Sequence, residues 1–259
     1  MKLAFSDAEA RVNAKYPIII RRRVEAVFMG KEGTSMLMEH QQFGGGAGFF
    51  LLQNIPLFEG LSALQLEQIS RMAVRRKVVR NTTIVRAGDS TDSLFVIVSG
   101  SAKVLNRDAE GHEVILSLLG AGQCFGEMGL IDGSPRSADV VSNENCELLV
   151  IAKTDFKKAL AENVDLCLNI MKSLVLRLRE ANRKIESLAL MDVYGRVAKL
   201  LLDLSEVENG VRLIRRKVTK QDMAKMVGAS REMVSRVMRD LEGSGYIRIE
   251  EGCIVLTED

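Results

Sequence analysis

The sequence is poor in the residues from which enzymes and metalloproteins most often build a site. It contains no tryptophan, two histidines and four cysteines in 259 residues. The cysteines are scattered without CxxC spacing, at Cys124, Cys146, Cys167 and Cys253. This spacing indicates neither a zinc site nor a disulfide framework, and two histidines leave a metal centre few ligands. We therefore expect no metal site, and thiols that are buried or idle.

Long apolar runs are also missing. No segment approaches the ~20 apolar residues that a membrane span requires, and the PIII segment at residues 17–20 is too short for the core of a signal peptide. The composition, 47% hydrophobic and 27% charged, is that of a water-soluble protein with room for two modest domains. We expect a cytoplasmic protein that does not enter a membrane.

Residues 1–48 show little periodic pattern. They combine a basic stretch, RVNAKYPIIIRRRVEAVF, with the glycine-rich segments GKEGTS and FGGGAG. Glycine-rich segments of this kind are typical of flexible connectors. We interpret residues 1–48 as a flexible basic extension with little fixed structure. The alternative is a basic arm that contacts DNA or a partner.

Residues 49–162 predict a β-rich domain. Apolar residues at helical spacing around a Ser62 cap indicate two short helices at its start. Eight short β-rich runs follow, from VRRKVV to CELLVIA, and glycine, Asx or serine turns separate them. This spacing favours an antiparallel sandwich or jelly-roll barrel.

The most specific chemistry of this domain lies in the segment FGEMGLIDGSPRSADVV, residues 125–141. Gly126 lets the backbone turn closely, and Glu127 and Met128 then open a helical turn whose free N–H groups can face an anion. Arg136 and Ser137 supply a guanidinium fork and a hydroxyl that suit a phosphate. Glu127 can accept a hydrogen bond from a ribose hydroxyl. The alternative is an Arg136–Glu127 pair that only fixes a turn of the barrel.

Residues 163–190 predict one long helix. Apolar residues recur in it at alternating spacings of three and four, which is the pattern of a coiled-coil seam. The charged residues around this seam favour a two-helix coiled coil between two copies of the chain, and hence a homodimer. The predicted interface residues are Met171, Leu174, Leu178, Ala181, Ile185 and Leu188.

Residues 191–259 predict a DNA-binding domain, with a hinge near residues 190–192. Thr219 and Ser230 are placed to cap two short helices, and Gly228 stands at the turn between them. The second helix has a buried stripe on one side and a polar face on the other. The runs YIRIE and CIVL after it indicate the two strands of a wing. This layout is typical of a winged helix-turn-helix, whose second helix enters the major groove.

The charge of this hairpin suits a phosphate backbone. Between residues 211 and 239 nine basic residues stand against two acidic ones. Arginine can donate to guanine O6 and N7, and glutamate can accept from cytosine N4. The candidate base readers are Arg231, Glu232 and Arg236, and the further candidate DNA contacts are Thr219, Lys220, Gln221, Ser230, Ser235 and Arg239.

The FGE…RS segment in a short-stranded barrel, followed by a long helix and the sequence SREMVSRVMRDLE, resembles the cyclic-AMP receptor protein and fumarate–nitrate regulator (Crp/Fnr) family of bacterial transcription factors. The resemblance covers about residues 50–259. It implies an α+β protein with a jelly-roll cyclic-nucleotide-binding domain, a dimerisation helix and a winged helix-turn-helix. It also implies that Glu127 holds the ribose 2′-hydroxyl, that Arg136 and Ser137 hold the cyclic phosphate, and that RNA polymerase is a partner.

One departure from the family concerns the nucleotide base. Cyclic-AMP-responsive members offer a Thr–Ser pair from the long helix to the adenine, and the matching positions here are Ala181 and Asn182. Because asparagine can still pair with a purine edge, cyclic AMP or another cyclic purine nucleotide is the expected effector. Cyclic di-GMP is an alternative. The iron–sulfur branch of the family is disfavoured because residues 1–123 contain no cysteine.

The sequence thus predicts a homodimeric activator or repressor that binds an inverted-repeat DNA site with TGTGA-like half-sites under the control of a cyclic nucleotide. A constitutive DNA binder with a vestigial pocket is a second hypothesis. A third is an enzyme that uses Glu127 and Asp132 as paired carboxylates. The third is disfavoured because no histidine stands near them in sequence as a partner, two carboxylates in one loop are common, and a metal would need more ligands than the sequence offers.

Overall fold

The structure, a computed structural model, describes residues 41–42, 52–215, 218–250 and 252–257. Along the chain, a β-sandwich domain is followed by one long helix and then by a smaller domain of helices and a four-stranded sheet. Except for the short strand Gln41–Gln42, the predicted extension over residues 1–48 lies outside the described residues. Among the described helices, none is both long enough and apolar enough to cross a membrane.

The sandwich begins with a 3-10 turn over Pro56–Phe58 and helix α1 over Ala63–Met72. Helix α1 starts in a capping box: the Gln65 amide donates to the Ser62 hydroxyl at 3.4 Å, and the Ser62 amide donates to the Gln65 side chain at 2.7 Å. Where the first of the two short helices was predicted, the described residues are helical at 52–53 and form this 3-10 turn. Proline suits its first position because the first N–H of a helix has no acceptor there.

In the part of the chain that the structure describes, nine strands form the two sheets of the sandwich. The five-stranded sheet has the order β1-β2-β9-β4-β7, and the four-stranded sheet has the order β3-β8-β5-β6. All the pairings are antiparallel, as predicted for a jelly roll. The strands are β1 (Gln41–Gln42), β2 (Ala73–Val78), β3 (Thr83–Val85), β4 (Ser93–Ser99), β5 (Ala102–Arg107), β6 (Glu113–Leu119), β7 (Cys124–Phe125), β8 (Asp139–Ser142) and β9 (Cys146–Ala152).

The five-stranded sheet is buried on both faces, which explains the continuous apolar run SLFVIV in β4. Successive side chains of a strand point to opposite faces. Leu94 and Val96 therefore join a core beneath the helices, whereas Phe95 and Ile97 join the core between the two sheets. Phe95 stacks on Phe125 there, with ring centroids 5.0 Å apart.

Two helices follow the sandwich and are separated by a break at Asn163. Helix α3 spans Lys153–Glu162 and helix α4 spans Val164–Leu190, close to the predicted range. The Asn163 side chain donates to the Ala159 carbonyl at 2.7 Å. The first half of α4 packs on the sandwich through buried residues such as Leu166 and Ile170, and its second half is largely exposed.

Two residues, Met191 and Asp192, connect α4 to the first helix of the smaller domain. Its core joins the apolar sides of three helices to the four-stranded sheet β10-β11-β13-β12. The β10–β11 hairpin, which the sequence analysis missed, turns through Asn209 and Gly210, both at positive φ. The elements are α5 (Val193–Leu204), β10 (Glu206–Glu208), β11 (Val211–Ile214), α6 (Lys220–Val227), α7 (Arg231–Gly243), β12 (Ile247–Glu250) and β13 (Cys253–Leu256).

The description of the core between the two sheets predicts that two Leu→Ala substitutions lower the free energy of unfolding by different amounts. Leu148 of β9 is fully buried, whereas Leu116 of β6 is 42% exposed. We expect Leu148→Ala to lower the free energy of unfolding by about 2–5 kcal/mol, because the cavity it creates lies in a packed core. Leu116→Ala should change it by less than about 1 kcal/mol. Urea unfolding followed by circular dichroism measures both, and equal losses would contradict this description of the core.

Candidate nucleotide pocket and DNA-binding face

The segment FGEMG folds as a close turn that only glycine permits at its first position. Gly126 has φ +85°, and a Cβ atom built there would lie 2.2 Å from Nη1 of Arg136. Helix α2 follows at once, over Glu127–Asp132. No side chain caps its start within the described residues. The first N–H groups of α2 are thus available to an anion beside the Arg136 guanidinium.

Glu127 is buried and is tied to the long helix. The residue is 2% exposed, and Oε1 accepts a hydrogen bond from Nη1 of Arg177 at 2.5 Å. Arg177 also donates to the Cys124 carbonyl. The second carboxylate oxygen, Oε2, is buried and has no hydrogen-bond partner among the described residues. A buried carboxylate oxygen without a donor is costly and is therefore a candidate acceptor for a ligand hydroxyl.

Arg136 lies beside Glu127 but is not paired with it. Its guanidinium donates to the carbonyls of Gly126, at 3.0 Å, and Ser93, at 2.8 Å, and it lies 3.5 Å from Asp92. Burial lowers the pKa of Arg136, and the carboxylate of Asp92 opposes that effect. Because Arg136 pairs with Asp92 and Glu127 pairs with Arg177, the alternative of a mutual pair that fixes a turn is wrong.

The guanidinium of Arg136 has five N–H groups, and the contacts above use three of them. The other two are candidate donors to a phosphate, on a side chain that is 5% exposed. Removing this side chain would also leave two backbone carbonyls without their donor, so Arg136 holds the loop in place. Ser137, the next residue, and Met128 of α2 are both exposed.

Arg177 is the residue of this site that the sequence analysis did not select. It appeared only as one of several charges that flank the seam. It stands one helical turn before Ala181, and residues at i and i+4 share one face of a helix. That spacing was the available signal. Ala181 and Asn182 themselves are exposed on α4, on the part of the helix that follows Arg177.

The predicted dimer face of α4 presents a row of exposed apolar side chains. Met171 is 52% exposed, Leu178 60% and Ile185 65%. Leu174 differs from the prediction, because it is half-buried and packs against the core of its own sandwich. Val175, which is 49% exposed, continues the row instead. Ala181 and Leu188 are also exposed. Such a row on a free helix is typical of an interaction surface.

The two helices of the helix-turn-helix begin at the predicted caps. The Asp222 amide donates to the Thr219 hydroxyl at 3.0 Å, and the Met233 amide donates to the Ser230 hydroxyl at 3.2 Å. Gly228 ends α6 in the left-handed conformation, with φ +64°. The buried side chains of α7 are Val234, Val237, Met238 and Leu241, as its periodicity predicted.

The opposite side of α7 faces outward with its charges. Arg231, Glu232, Arg236 and Arg239 are exposed, and Ser235 is half-buried. Thr219, Lys220 and Gln221, at the start of α6, are exposed, as is Ser230. The fold thus leaves every predicted DNA-contacting residue at least partly accessible.

One group of potential metal ligands lies away from these sites. Asp108, Glu110 and His112 can bring one ligand atom each within 4.8 Å of one another at the exposed tip of the β5–β6 hairpin. The hydrogen bonds from His112 to Asp108 close the hairpin turn, and this is sufficient to explain their proximity.

Two protein-family models match the chain. Residues 75–163 match the cyclic nucleotide-binding domain, and residues 195–258 match the Crp-like helix-turn-helix domain. The first range contains Glu127 and Arg136, and the second contains α6 and α7. Both ranges therefore coincide with the two sites described above.

Similar proteins support the same assignment. The cAMP-activated global transcriptional regulator Vfr of Pseudomonas aeruginosa is 34% identical over 198 residues, which cover 74% of this chain and 92% of that protein. The cAMP-activated global transcriptional regulator CRP of Haemophilus influenzae is 35% identical over 70% of this chain and 82% of its own length. Among solved structures, the c-di-GMP-responsive global regulator CLP of Xanthomonas campestris superposes with a TM-score of 0.66 at 28% identity, over 76% of this chain and all of that one. This chain therefore belongs to the Crp/Fnr family of transcription regulators, in which a cyclic nucleotide-binding domain is joined to a DNA-binding helix-turn-helix.

Proposed function

We propose that this protein is a homodimeric transcription regulator whose affinity for a palindromic DNA site is controlled by a cyclic purine nucleotide bound in the sandwich domain. The observation that carries the proposal is the buried Oε2 atom of Glu127, which has no donor among the described residues, while the guanidinium of Arg136 lies against the preceding residue, Gly126. A ribose 2′-hydroxyl supplies such a donor, and a cyclic phosphate suits the remaining N–H groups of Arg136 together with the Ser137 hydroxyl.

The effector's base is the part of the ligand that these contacts do not determine. Vfr and CRP are named as cAMP-activated proteins, which supports cyclic AMP as the first candidate. The exposed pair Ala181 and Asn182 stands where cyclic-AMP-responsive relatives carry Thr and Ser. That change, and the c-di-GMP response of the CLP protein, favour cyclic di-GMP as the second candidate. A constitutive DNA binder is the third.

A catalytic role for Glu127 and Asp132 has no support from their surroundings. Glu127 is buried against Arg177, whereas Asp132 is exposed and accepts a hydrogen bond from the Ser134 amide at 2.8 Å. Each carboxylate is thus engaged with a different partner. We infer that the protein regulates transcription without catalysing a reaction.

The nucleotide can act on DNA binding through the long helix, because Arg177 joins the pocket to α4 and α4 leads into the DNA-binding domain. An effector shifts a conformational equilibrium only as far as it prefers one state over the other. Exposed rows on two copies of α4 would pair along a two-fold axis, which matches an inverted-repeat site with TGTGA-like half-sites. We place the dimer in the cytoplasm, with RNA polymerase as a further partner.

The proposed role of Glu127 in nucleotide binding can be tested with two matched substitutions on α2. Glu127→Gln keeps the shape of the side chain but removes its charge, so we expect about tenfold weaker nucleotide binding, roughly the contribution of one charge-assisted hydrogen bond. Asp132→Asn removes the same charge on the same helix and retains an oxygen for the Ser134 amide, so it should bind normally. Calorimetry with cyclic AMP, cyclic GMP and cyclic di-GMP identifies the effector and compares the variants. Normal affinity of Glu127→Gln would remove Glu127 from the ribose contact, and failure of all three nucleotides to bind the wild type would favour the constitutive alternative.

The apolar row of α4 predicts the effect of a buried charge. We expect Leu178→Glu to dissociate the dimer, because each glutamate would lie against its symmetry mate in an apolar seam. Analytical ultracentrifugation at micromolar concentration measures the change. Arg179→Glu, which introduces the same side chain at a neighbouring exposed position, serves as the control. A monomeric wild type would contradict the proposed dimer.

Two substitutions in the helix-turn-helix should weaken DNA binding in different ways, one by removing a base contact of α7 and the other by removing a phosphate contact of α6. Arg231→Ala should weaken specific binding by ~1–3 kcal/mol and relax the preference at one base pair in each half-site, because it removes a base contact. Lys220→Ala should weaken binding to all sequences alike and lower the salt slope by about 1, because it removes a phosphate contact. Selection from random DNA followed by salt titration separates the two effects. Recovery of sites without two-fold symmetry, or a uniform loss in Arg231→Ala, would contradict the assignment of α7 as the reader.

A further inference from the structure

The sandwich domain touches the helix-turn-helix through two ion pairs. Nζ of Lys103, on β5, lies 2.7 Å from Oδ1 of Asp222, on α6. Nζ of Lys225, one turn later on α6, lies 2.5 Å from Oε2 of Glu113, at the start of β6. All four side chains are at most 26% exposed, so these pairs are shielded more than ordinary surface pairs. We call this contact the α6 seat.

The charges of the α6 seat determine the direction in which α6 lies on the β5–β6 hairpin. Asp222 and Lys225 are three residues apart and share one face of α6. The hairpin offers a cation to the first and an anion to the second. If α6 lay on the hairpin in the reverse direction, like charges would meet, which is unfavourable. The pattern therefore selects one orientation of the helix-turn-helix on the sandwich.

The α6 seat is also connected to the strand that follows the candidate phosphate loop. Glu113 contacts Arg107 as well as Lys225, and the hydrogen bond from Lys225 is the main cause of its lowered pKa. Arg107 contacts Asp139, which lies three residues after Arg136 and accepts a hydrogen bond from the Ala87 amide. A continuous set of ionic contacts thus runs from β8 to α6.

The α6 seat does not cover the residues that are predicted to contact DNA. Lys220, Arg231 and Arg236 are all exposed while α6 is seated. The contact therefore orients the helix-turn-helix without covering it. The connection between α4 and α5 contains only Met191 and Asp192, and a free rotation there would have to be lost when DNA binds. Fixing the orientation beforehand removes part of that loss.

We propose that Lys103 and Glu113 of the sandwich are positioning residues for DNA binding: through Asp222 and Lys225 they hold the recognition helix in the orientation that DNA requires. The proposal rests on the DNA-binding role of α7 and is independent of which nucleotide binds. Its effect comes from orientation and not from net charge. That distinction makes it testable, because the two effects have opposite signs in one variant.

The test is a double-mutant cycle on Glu113 and Lys225, with full-length protein and a duplex that carries a TGTGA-like inverted repeat. Glu113→Lys adds positive charge, which by itself strengthens DNA binding. We expect instead about three- to tenfold weaker binding, the scale of one to two partly shielded ion pairs. Glu110→Lys is the control, because it makes the same charge change at an exposed position on the same hairpin. It should bind as tightly as the wild type or more tightly.

Added to Lys225→Glu, the change Glu113→Lys should strengthen DNA binding by more than Glu110→Lys does in the same background, because it restores an ion pair as well as adding the same charge. Hydrogen exchange without DNA supplies an independent readout: amides of residues 113–119 and 220–227 should exchange faster in Glu113→Lys than in the wild type or Glu110→Lys. Tighter DNA binding by Glu113→Lys with unchanged exchange would overturn the proposal. If the wild type binds no DNA, the role of α7 fails, and unchanged exchange in Glu113→Lys would then overturn the α6 seat separately.

Discussion

The contact on which most of the site depends is the one between the Glu127 carboxylate and the Arg177 guanidinium. The carboxylate of a residue that is 2% exposed is stable only when its charge is balanced, and Arg177 balances it from a helix that starts outside the sandwich sheets. Because Arg177 also holds the Cys124 carbonyl, α4 is fixed to the strand and turn that precede α2. The position of α4 is therefore coupled to the position of the segment that carries Glu127.

This arrangement explains how one helix serves two surfaces. The first half of α4 is held by apolar contacts on the sandwich, and Asn169 adds hydrogen bonds to the carbonyls of Leu57 and Glu59. The second half has polar attachments instead, from Arg177 and then from Lys184, which donates to the Leu116 carbonyl. Desolvation lowers the pKa of Lys184, although the residue as a whole remains exposed. Polar attachment on one side leaves the apolar row on the other side free.

Local signals in the sequence allowed much of the fold to be predicted. Contacts between distant segments could not be predicted from such signals. The eight strands β2–β9 are marked by turn residues and β-rich runs, and both helices of the helix-turn-helix are marked by Thr219, Gly228 and Ser230. By contrast, Glu127 and Arg177 are separated by 50 residues, and Arg136 reaches carbonyls on β4 and before α2. A heptad pattern also cannot tell which apolar residue, Leu174 or Val175, turns toward its own core. Periodicity defines a stripe, but only the neighbouring elements define its edges.

Gly126 has a consequence for efforts to build nucleotide sensors from this scaffold. A Cβ atom at this position would clash with the Arg136 guanidinium, and its φ of +85° disfavours any other residue, so Gly126 tolerates little redesign. The end that faces α4 is different, because Ala181 and Asn182 are exposed and make no such interlocking contact in the described chain. If the proposed function holds, effector specificity is divided between two parts of the site: the residues around Gly126 would contact the sugar and phosphate, and exposed residues of α4 would contact the base.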